Sequence, residues 1–132
     1  MLHILLVEDN SGDVLMVREA IRTTAVPADV MIAYDGEQAL EFLTEFRFKP
    51  DVIFLDLNIP KFDGFQVLER SCATYRSPVI VLTSSSNPAD NRRAFALGAR
   101  EYIVKPTELD RYLKVVSDAL TRWTADATRR LI

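Results

Sequence analysis

Residues 50–60, Pro-Asp-Val-Ile-Phe-Leu-Asp-Leu-Asn-Ile-Pro, determine the fold predicted for this chain. The four residues 52–55 are all branched or large apolar side chains, in a run too short for an ordinary helix. Such a run is typical of a strand buried on both faces, as in the middle of a parallel sheet. Asp56 follows at the carboxyl end of this strand, where ligands gather in open α/β sheets. A carboxylate is costly to bury without a cation or donors, so Asp56 either caps a turn before Pro60 or is a reactive or metal-binding group.

Four further apolar runs have the same form, each ending on polar residues and each separated from the next by a stretch with helical periodicity. These runs predict strands at residues 2–7, 29–33, 79–82 and 101–104. Strands that alternate with helices through short loops indicate parallel pairing with right-handed crossovers. The predicted fold class is therefore α/β, a flavodoxin-like (βα)5 doubly wound parallel sheet with strand order 2-1-3-4-5.

Capping signals mark where the helices begin. Asn10 or Ser11 is suited to cap the first helix. Asp35 and Gln38 have the spacing of a capping box at the start of the second. Pro88 fits the first turn of the fourth. These signals support the alternation of helices and strands.

Composition limits the class of protein. The 132 residues are 48% hydrophobic and 27% charged, which predicts a single globular domain over 1–132. The net charge of −3, without a basic block, argues against nucleic-acid binding. Cys72 is the only cysteine, which excludes a disulfide framework. The first residues lack the positive region of a signal peptide and no run is long enough to span a membrane, so we expect a cytoplasmic protein without a membrane segment.

Polar residues at the strand ends predict a shared site. Glu8 and Asp9 follow the first strand, Asp56 the third, Thr83 the fourth and Lys105 the fifth. In the order 2-1-3-4-5 the first and third strands are neighbours, so the three carboxylates meet in one pocket. Like charges disfavour one another, and a hard divalent cation such as Mg²⁺ relieves the repulsion. The ammonium and hydroxyl groups on the other side suit the charge of a phosphoryl group in transfer. A purely structural ion-pair cluster is the alternative.

The chain resembles the receiver domain of two-component response regulators over essentially its whole length. The residues that carry the resemblance are Glu8-Asp9, Asp56 within residues 55–60, Asp63-Gly64, Thr83-Ser84, Tyr102 and Lys105-Pro106. The resemblance implies that Asp56 is the phosphoacceptor and that Tyr102 is a rotamer switch. It also implies a cis peptide bond before Pro106.

The resemblance also implies a role for each residue around the acceptor. The implied Mg²⁺ ligands are Glu8, Asp9, Asp56 and the backbone carbonyl of Asn58. Lys105 is implied to pair with the phosphoryl group and Thr83 to hydrogen-bond it, while the side chains of Asn58 and Ser85 tune how fast water removes it. Glu8 departs from the commoner Asp, which leaves open whether it binds the ion directly or through water.

Two functions compete for such a chain. In the first, the chain is a single-domain response regulator that a sensor histidine kinase phosphorylates and whose phosphorylated state a downstream protein binds. Such a regulator is not an enzyme, although it assists its own phosphorylation and dephosphorylation. In the second, the chain is an unphosphorylated docking module. A flavin carrier of this fold fits less well, because Glu8, Asp9 and Asp13 would repel the flavin phosphate. Residues 7–13 and 83–86 and the late Trp123 are similar to the small regulators that partner bacterial phytochrome kinases.

The last helix is predicted to be extended. It starts at about residue 107 and carries an apolar stripe from Leu109 to Trp123, although about four turns would cover the edge of the sheet. The surplus residues include Trp123, Leu131 and Ile132. Exposed apolar groups mark contact surfaces, so we predict a homodimer through the last helix and its neighbours, with Trp123 at or near the interface. In the alternative, this segment folds back onto its own domain.

Overall fold

The computed structural model of the chain describes residues 1–44, 49–75 and 77–125, in which five strands and five helices alternate. The strands are β1 (Leu2–Val7), β2 (Ala28–Ala33), β3 (Val52–Leu55), β4 (Val79–Thr83) and β5 (Glu101–Val104). The helices are α1 (Ser11–Thr23), α2 (Gly36–Thr44), α3 (Gly64–Tyr75), α4 (Pro88–Ala96) and α5 (Leu109–Trp123). The strands form one sheet in the order β2-β1-β3-β4-β5, and every pair is parallel. The predicted fold is confirmed.

Two apolar cores lie on opposite faces of the sheet. The first contains Ile4 and Phe54 and is covered by α1 and α5. The second contains Leu5 and Leu55 and is covered by α2, α3 and α4. Because successive strand residues point to opposite faces, the continuous apolar runs of β1 and β3 supply both cores at once. This arrangement leaves the carboxyl ends of the strands open at one edge.

The predicted caps form, with one difference in the capping box. Asn10 accepts a hydrogen bond from the backbone of Asp13 at 2.9 Å. The Asp35 side chain likewise accepts from the backbone of Gln38 at 2.8 Å. The Gln38 side chain accepts in turn from the backbone N–H of Tyr34 at 2.8 Å. Tyr34 is the residue before the cap, whereas in a capping box the bond comes from the cap itself. The helix start is satisfied in both directions.

The last helix begins two residues later than predicted. Its first turn closes with a bond from the Tyr112 backbone N–H to the Glu108 carbonyl at 3.0 Å, so Glu108 is the N-cap and Thr107 lies outside the helix. Leu109 is 56% exposed and does not belong to the buried stripe. The buried side of α5 is formed by Tyr112, Val116, Ala119 and Leu120. None of the helices in the described ranges is both long and apolar enough to cross a membrane.

Trp123 is held by contacts within its own domain. Its indole N–H donates to Glu101 Oε1 at 2.6 Å, and its side chain packs against the core under α1 and α5. The guanidinium of Arg100 lies 6.0 Å from the ring centroid. These contacts match the alternative in which this region covers its own sheet. Leu131 and Ile132 lie outside the described residues.

The loop between β3 and α3 is packed closely between two helix starts. A Cβ on Gly64 would lie 2.5 Å from the Cα of Leu57, and a Cβ on Gly36 would lie 2.5 Å from the Cβ of Phe62. Both positions therefore require glycine. Lys61 in this loop has a φ of 72°, in the left-handed region that side chains rarely adopt. The chain that follows Asp56 thus has little freedom to move.

Candidate functional site

Strand register brings the acids together. Val7 of β1 pairs with Leu55 of β3, so the next residues, Glu8 and Asp56, lie side by side at the carboxyl edge. The backbone N–H of Asp56 donates to the Val7 carbonyl at 3.0 Å, which continues the pairing by one residue. The side chain of Asp56 is held by the backbone N–H of Asn58, which donates to Oδ1 at 3.0 Å. The sequence predicted this meeting correctly.

Glu8, Asp9 and Asp56 form a group suited to a cation. Each offers a carboxylate oxygen, and these oxygens lie within 4.8 Å of one another. Glu8 is 2% exposed and Asp56 is 6% exposed, whereas Asp9 faces solvent. Carboxylate oxygens open to water on one side are the ligands that hard divalent ions prefer. This donor set therefore fits Mg²⁺ or a similar ion.

Lys105 lies against the same acids. Its Nζ donates to Glu8 Oε1 at 2.6 Å, to Asp56 Oδ2 at 2.9 Å and to Asp13 Oδ2 at 2.8 Å. Burial alone would lower the pKa of Lys105, but the hydrogen bonds to the three carboxylates raise it above its usual value. Burial also raises the pKa of Glu8 to about 7, against the opposing effect of the Lys105 hydrogen bond. The lysine is therefore a fixed positive charge, and Glu8 is protonated more easily than an ordinary glutamate.

Asp13 is part of this site although the sequence did not predict it there. It lies in the first turn of α1, and its Oδ1 accepts a hydrogen bond from the Tyr112 hydroxyl of α5 at 2.9 Å. Burial, followed by the bond to Asp13, raises the pKa of Tyr112, so its hydroxyl remains a donor. The one available signal was the position of Asp13, four residues after Asp9 in the acidic loop.

Thr83 is the last residue of β4, and Tyr102 lies within the adjacent strand β5. The Thr83 hydroxyl is buried and accepts long hydrogen bonds, from Asn58 Nδ2 at 3.5 Å and from the Ser85 backbone at 3.4 Å. The Tyr102 hydroxyl donates to the Ser85 carbonyl at 2.8 Å, and its side chain is half-buried. Tyr102 is therefore turned towards the loop after β4 rather than into solvent.

The peptide bond before Pro106 is trans, so the expectation of a cis bond there is wrong. A bond before proline favours trans by only about 0.5–1 kcal/mol, which leaves the isomer to the local packing. The Lys105 backbone N–H donates to the Thr83 carbonyl at 2.8 Å, which continues the pairing of β5 with β4. The side chain then reaches the three carboxylates.

A buried acid between an acidic pair and a lysine, at the carboxyl edge of a sheet ordered 2-1-3-4-5, is the arrangement of a signalling receiver domain. The chain belongs to the response regulator receiver domain family, whose model matches residues 4–117. The resemblance to two-component response regulators is therefore confirmed.

Particular relatives narrow the resemblance. The chain is 35% identical to the response regulator Rcp1 of Synechocystis sp. (strain ATCC 27184 / PCC 6803 / Kazusa), over 95% of this chain and 90% of that protein. It matches the crystal structure of the Mn²⁺-bound form of Rcp1 with a TM-score of 0.85 and 34% identity, over 93% of this chain and 94% of that one. It also matches the phosphorylated cyanobacterial phytochrome response regulator RcpA with a TM-score of 0.87 and 34% identity, over 95% of each chain. The likeness to phytochrome response regulators is thus confirmed.

Proposed function

We propose that this receiver domain is a switch that accepts a phosphoryl group on Asp56 from a sensor histidine kinase, in a reaction that depends on Mg²⁺. The observation that carries the proposal is the position of the Asp56 carboxylate, which is 6% exposed and lies 2.9 Å from the Lys105 ammonium beside two further acids. The lysine ammonium, together with a divalent ion held by these acids, would offset the negative charge of a phosphoryl group that approaches Asp56.

In the proposed reaction, a carboxylate oxygen of Asp56 attacks the phosphorus of the phosphohistidine. The P–N bond breaks and a P–O bond forms, which leaves an acyl phosphate on Asp56 and, when the other ring nitrogen of the phosphohistidine carries a proton, neutral histidine on the kinase. Lys105 offsets the negative charge on the transferred group. Glu8, Asp9, Asp56 and the backbone carbonyl of Asn58 would hold Mg²⁺, which adds positive charge when bound. The domain itself is not an enzyme with a separate substrate, and it acts in the cytoplasm.

Labelling of Asp56→Asn tests the acceptor. Incubation with a small phosphodonor and Mg²⁺, followed by intact mass, should add one phosphoryl mass to the parent and none to the variant. Asp51→Asn is the matched control, since Asp51 precedes the same strand at its opposite end, and it should be labelled normally. Full labelling of Asp56→Asn would contradict the assignment. An unlabelled parent would favour the unphosphorylated docking module.

The signal is proposed to leave through Thr83 and Tyr102. Phosphoryl oxygens would draw the Thr83 hydroxyl away from its two long hydrogen bonds, and the aromatic ring would settle further into the space released. One set of new contacts can shift such a balance only if the two states differ by a few kcal/mol. Thr83→Ala should therefore accept the phosphoryl group yet lose most of its phosphorylation-dependent partner binding. Undiminished binding would mean that the signal takes another route.

We propose a phytochrome-type kinase as the phosphodonor, which the similarity to RcpA supports.

We also propose a homodimer through α5 and its neighbours α4 and β5. Three apolar side chains on these elements are about half exposed: Phe95, Val104 and Leu109. They take the anchoring role predicted for Trp123, because the indole already has internal partners. Sedimentation of the parent and of Leu109→Asp should give a dimer and a monomer, and a monomeric parent with and without phosphorylation would exclude this pairing.

A further inference from the structure

Asp13 connects the acidic site to the last helix. One oxygen of its carboxylate accepts a hydrogen bond from Lys105 Nζ at 2.8 Å, and the other accepts one from the Tyr112 hydroxyl at 2.9 Å. Tyr112 is 4% exposed and belongs to the core between α1 and α5. A single carboxylate thus touches the lysine of the site on one side and a core residue of α5 on the other.

All three protons of the Lys105 ammonium are in use. An ammonium has three donors, and here they go to Glu8, Asp13 and Asp56. The bond to Asp56 can pass to a phosphoryl group on that residue, but a second bond from Lys105 to the group requires Glu8 or Asp13 to release the lysine. A metal ion could replace the lysine charge at Glu8 and Asp56, which belong to the cation-binding group. Asp13 does not belong to that group, so the compensation of its negative charge depends on Lys105.

We propose that Asp13 is a positioning residue that competes with the phosphoryl group for Lys105, and that the Tyr112 hydroxyl sets the strength of this competition. The inference rests on the function proposed above. The hydrogen bond from Tyr112 uses part of the capacity of the Asp13 carboxylate to accept hydrogen bonds. It therefore weakens the bond between Asp13 and Lys105. When Lys105 turns to the phosphoryl group, Tyr112 is the side chain that still donates to Asp13. The strength of the hydrogen bond from Tyr112 of α5 to Asp13 of α1 therefore depends on the position of the lysine.

Beryllofluoride with Mg²⁺, a mimic of the bound phosphoryl group, provides a direct measure by titration calorimetry. Asp13→Asn should bind it about tenfold more tightly, because an amide oxygen accepts from an ammonium less strongly than a carboxylate does. Glu108→Gln is the matched control. It removes the same charge from a side chain lining the same recess as Lys105, and Glu108 forms no ion pair with the lysine. The control should bind within about twofold of the parent, and high salt should not abolish the effect of Asp13→Asn.

Tyr112→Phe tests the second half of the proposal. It keeps the packed ring and removes the donor, so Asp13 should hold Lys105 more firmly and beryllofluoride should bind about threefold more weakly. In the Asp13→Asn background the same substitution should have no effect on binding. A merely structural role for Tyr112 would lower the melting temperature in both backgrounds without this pattern in the dissociation constants.

Three outcomes would overturn the inference. The first is equal binding by the parent and by a folded Asp13→Asn variant, and the second is an equal gain in Glu108→Gln. The third is a Tyr112→Phe effect that persists without the Asp13 carboxylate. In each of these the parent still binds beryllofluoride, so the proposed function stands. A parent that binds none removes the proposed function and the competition together.

Discussion

The two loops beside Asp56 are held in different ways. The loop after β3, residues 56–63, is fixed by backbone contacts, with Gly64 against Leu57 and Gly36 against Phe62. The loop after β4, residues 84–87, is held by side-chain hydrogen bonds. Ser85 Oγ donates to Asp90 at 2.6 Å and its carbonyl accepts from Tyr102 at 2.8 Å.

This difference separates the two tasks of the site. Packed backbone cannot shift without a clash, so the loop after β3 keeps Asp56, the proposed acceptor, and Asn58 in place. Hydrogen bonds can be exchanged for others of similar strength, so the loop after β4 can take a second arrangement at small cost. We therefore expect the loop after β3 to stay fixed and the loop after β4 to change its arrangement.

Gly64→Ala should have the largest effect, because it attacks the packed side. The added Cβ meets the backbone of Leu57 and should lower the free energy of unfolding by about 3 kcal/mol and slow phosphorylation. Denaturant titration and labelling rates measure both effects. Gly12→Ala is the control, since its Cβ would approach only the Asn10 side chain, at 3.1 Å, and it should change stability by at most about 1 kcal/mol. Normal stability of Gly64→Ala would disprove the rigid loop.

The pH dependence sharpens the comparison on the metal-binding side. The pKa of Glu8 is raised from 4.5 to about 7 by burial, so the folded chain holds a proton that the unfolded chain has lost between these values. Without a divalent ion, the free energy of unfolding should therefore fall as the pH rises from 4.5 to 7. Mg²⁺ needs the ionised carboxylate, so its affinity should rise over this range by up to about tenfold per pH unit and level off above it. Glu8→Gln should flatten the pH dependence of both the free energy of unfolding and the Mg²⁺ affinity. If neither quantity changes with pH in the parent, the raised pKa of Glu8 is wrong.

Ser85→Ala tests the movable side. The loss of the hydrogen bond to Asp90 should cost about 1 kcal/mol of stability, while the phosphoryl group on Asp56 should change its lifetime severalfold. Decay of the labelled species by mass measures the lifetime. Ser117→Ala, which removes an exposed serine hydroxyl from α5, is the control and should leave the lifetime unchanged. If the two variants decay alike, the loop after β4 does not tune the lifetime.

Lys61→Met should have the smallest effect. Lys61 pairs with Asp35 at 3.5 Å and with Glu37 at 3.6 Å, but its side chain is 60% exposed. Water and salt screen exposed ion pairs, so thermal unfolding should shift little and less still at high salt. A loss comparable to that of Gly64→Ala would mean that charge, rather than packing, holds the loop after β3.

Most of the fold could be predicted from the sequence because it depends on local patterns. Buried parallel strands require continuous apolar runs, and helix starts require caps, so β1, β3 and α1 were placed correctly. The start of α5 was not, because Thr107 and Glu108 are both plausible caps, and only the closing backbone bond selects between them. The packing of Trp123 on its own domain depends on where α5 ends against β5, which no local pattern records.

The site could be predicted where strand order alone brings residues together. Glu8 and Asp56 follow the neighbouring strands β1 and β3, and Lys105 follows β5 at the same edge of the sheet, so the order 2-1-3-4-5 predicts their meeting. The link from Asp13 to Tyr112 joins residues 99 apart through the packing of two helices, and neither residue carries a motif. Helix faces can be predicted from periodicity, but the rotation that aims one hydroxyl at one carboxylate cannot.

The division of helices between the two faces gives the chain an order of assembly during its synthesis. The face covered by α2, α3 and α4 has all its helices once residue 96 has been made. The opposite face is covered only by α1 until α5 has emerged, and the apolar side of α1 packs against residues 112–120 of that last helix. Val14 and Val17 are thus among the first core residues to leave the ribosome and among the last to be buried. We expect the nascent chain to expose the apolar side of α1 until the last helix docks.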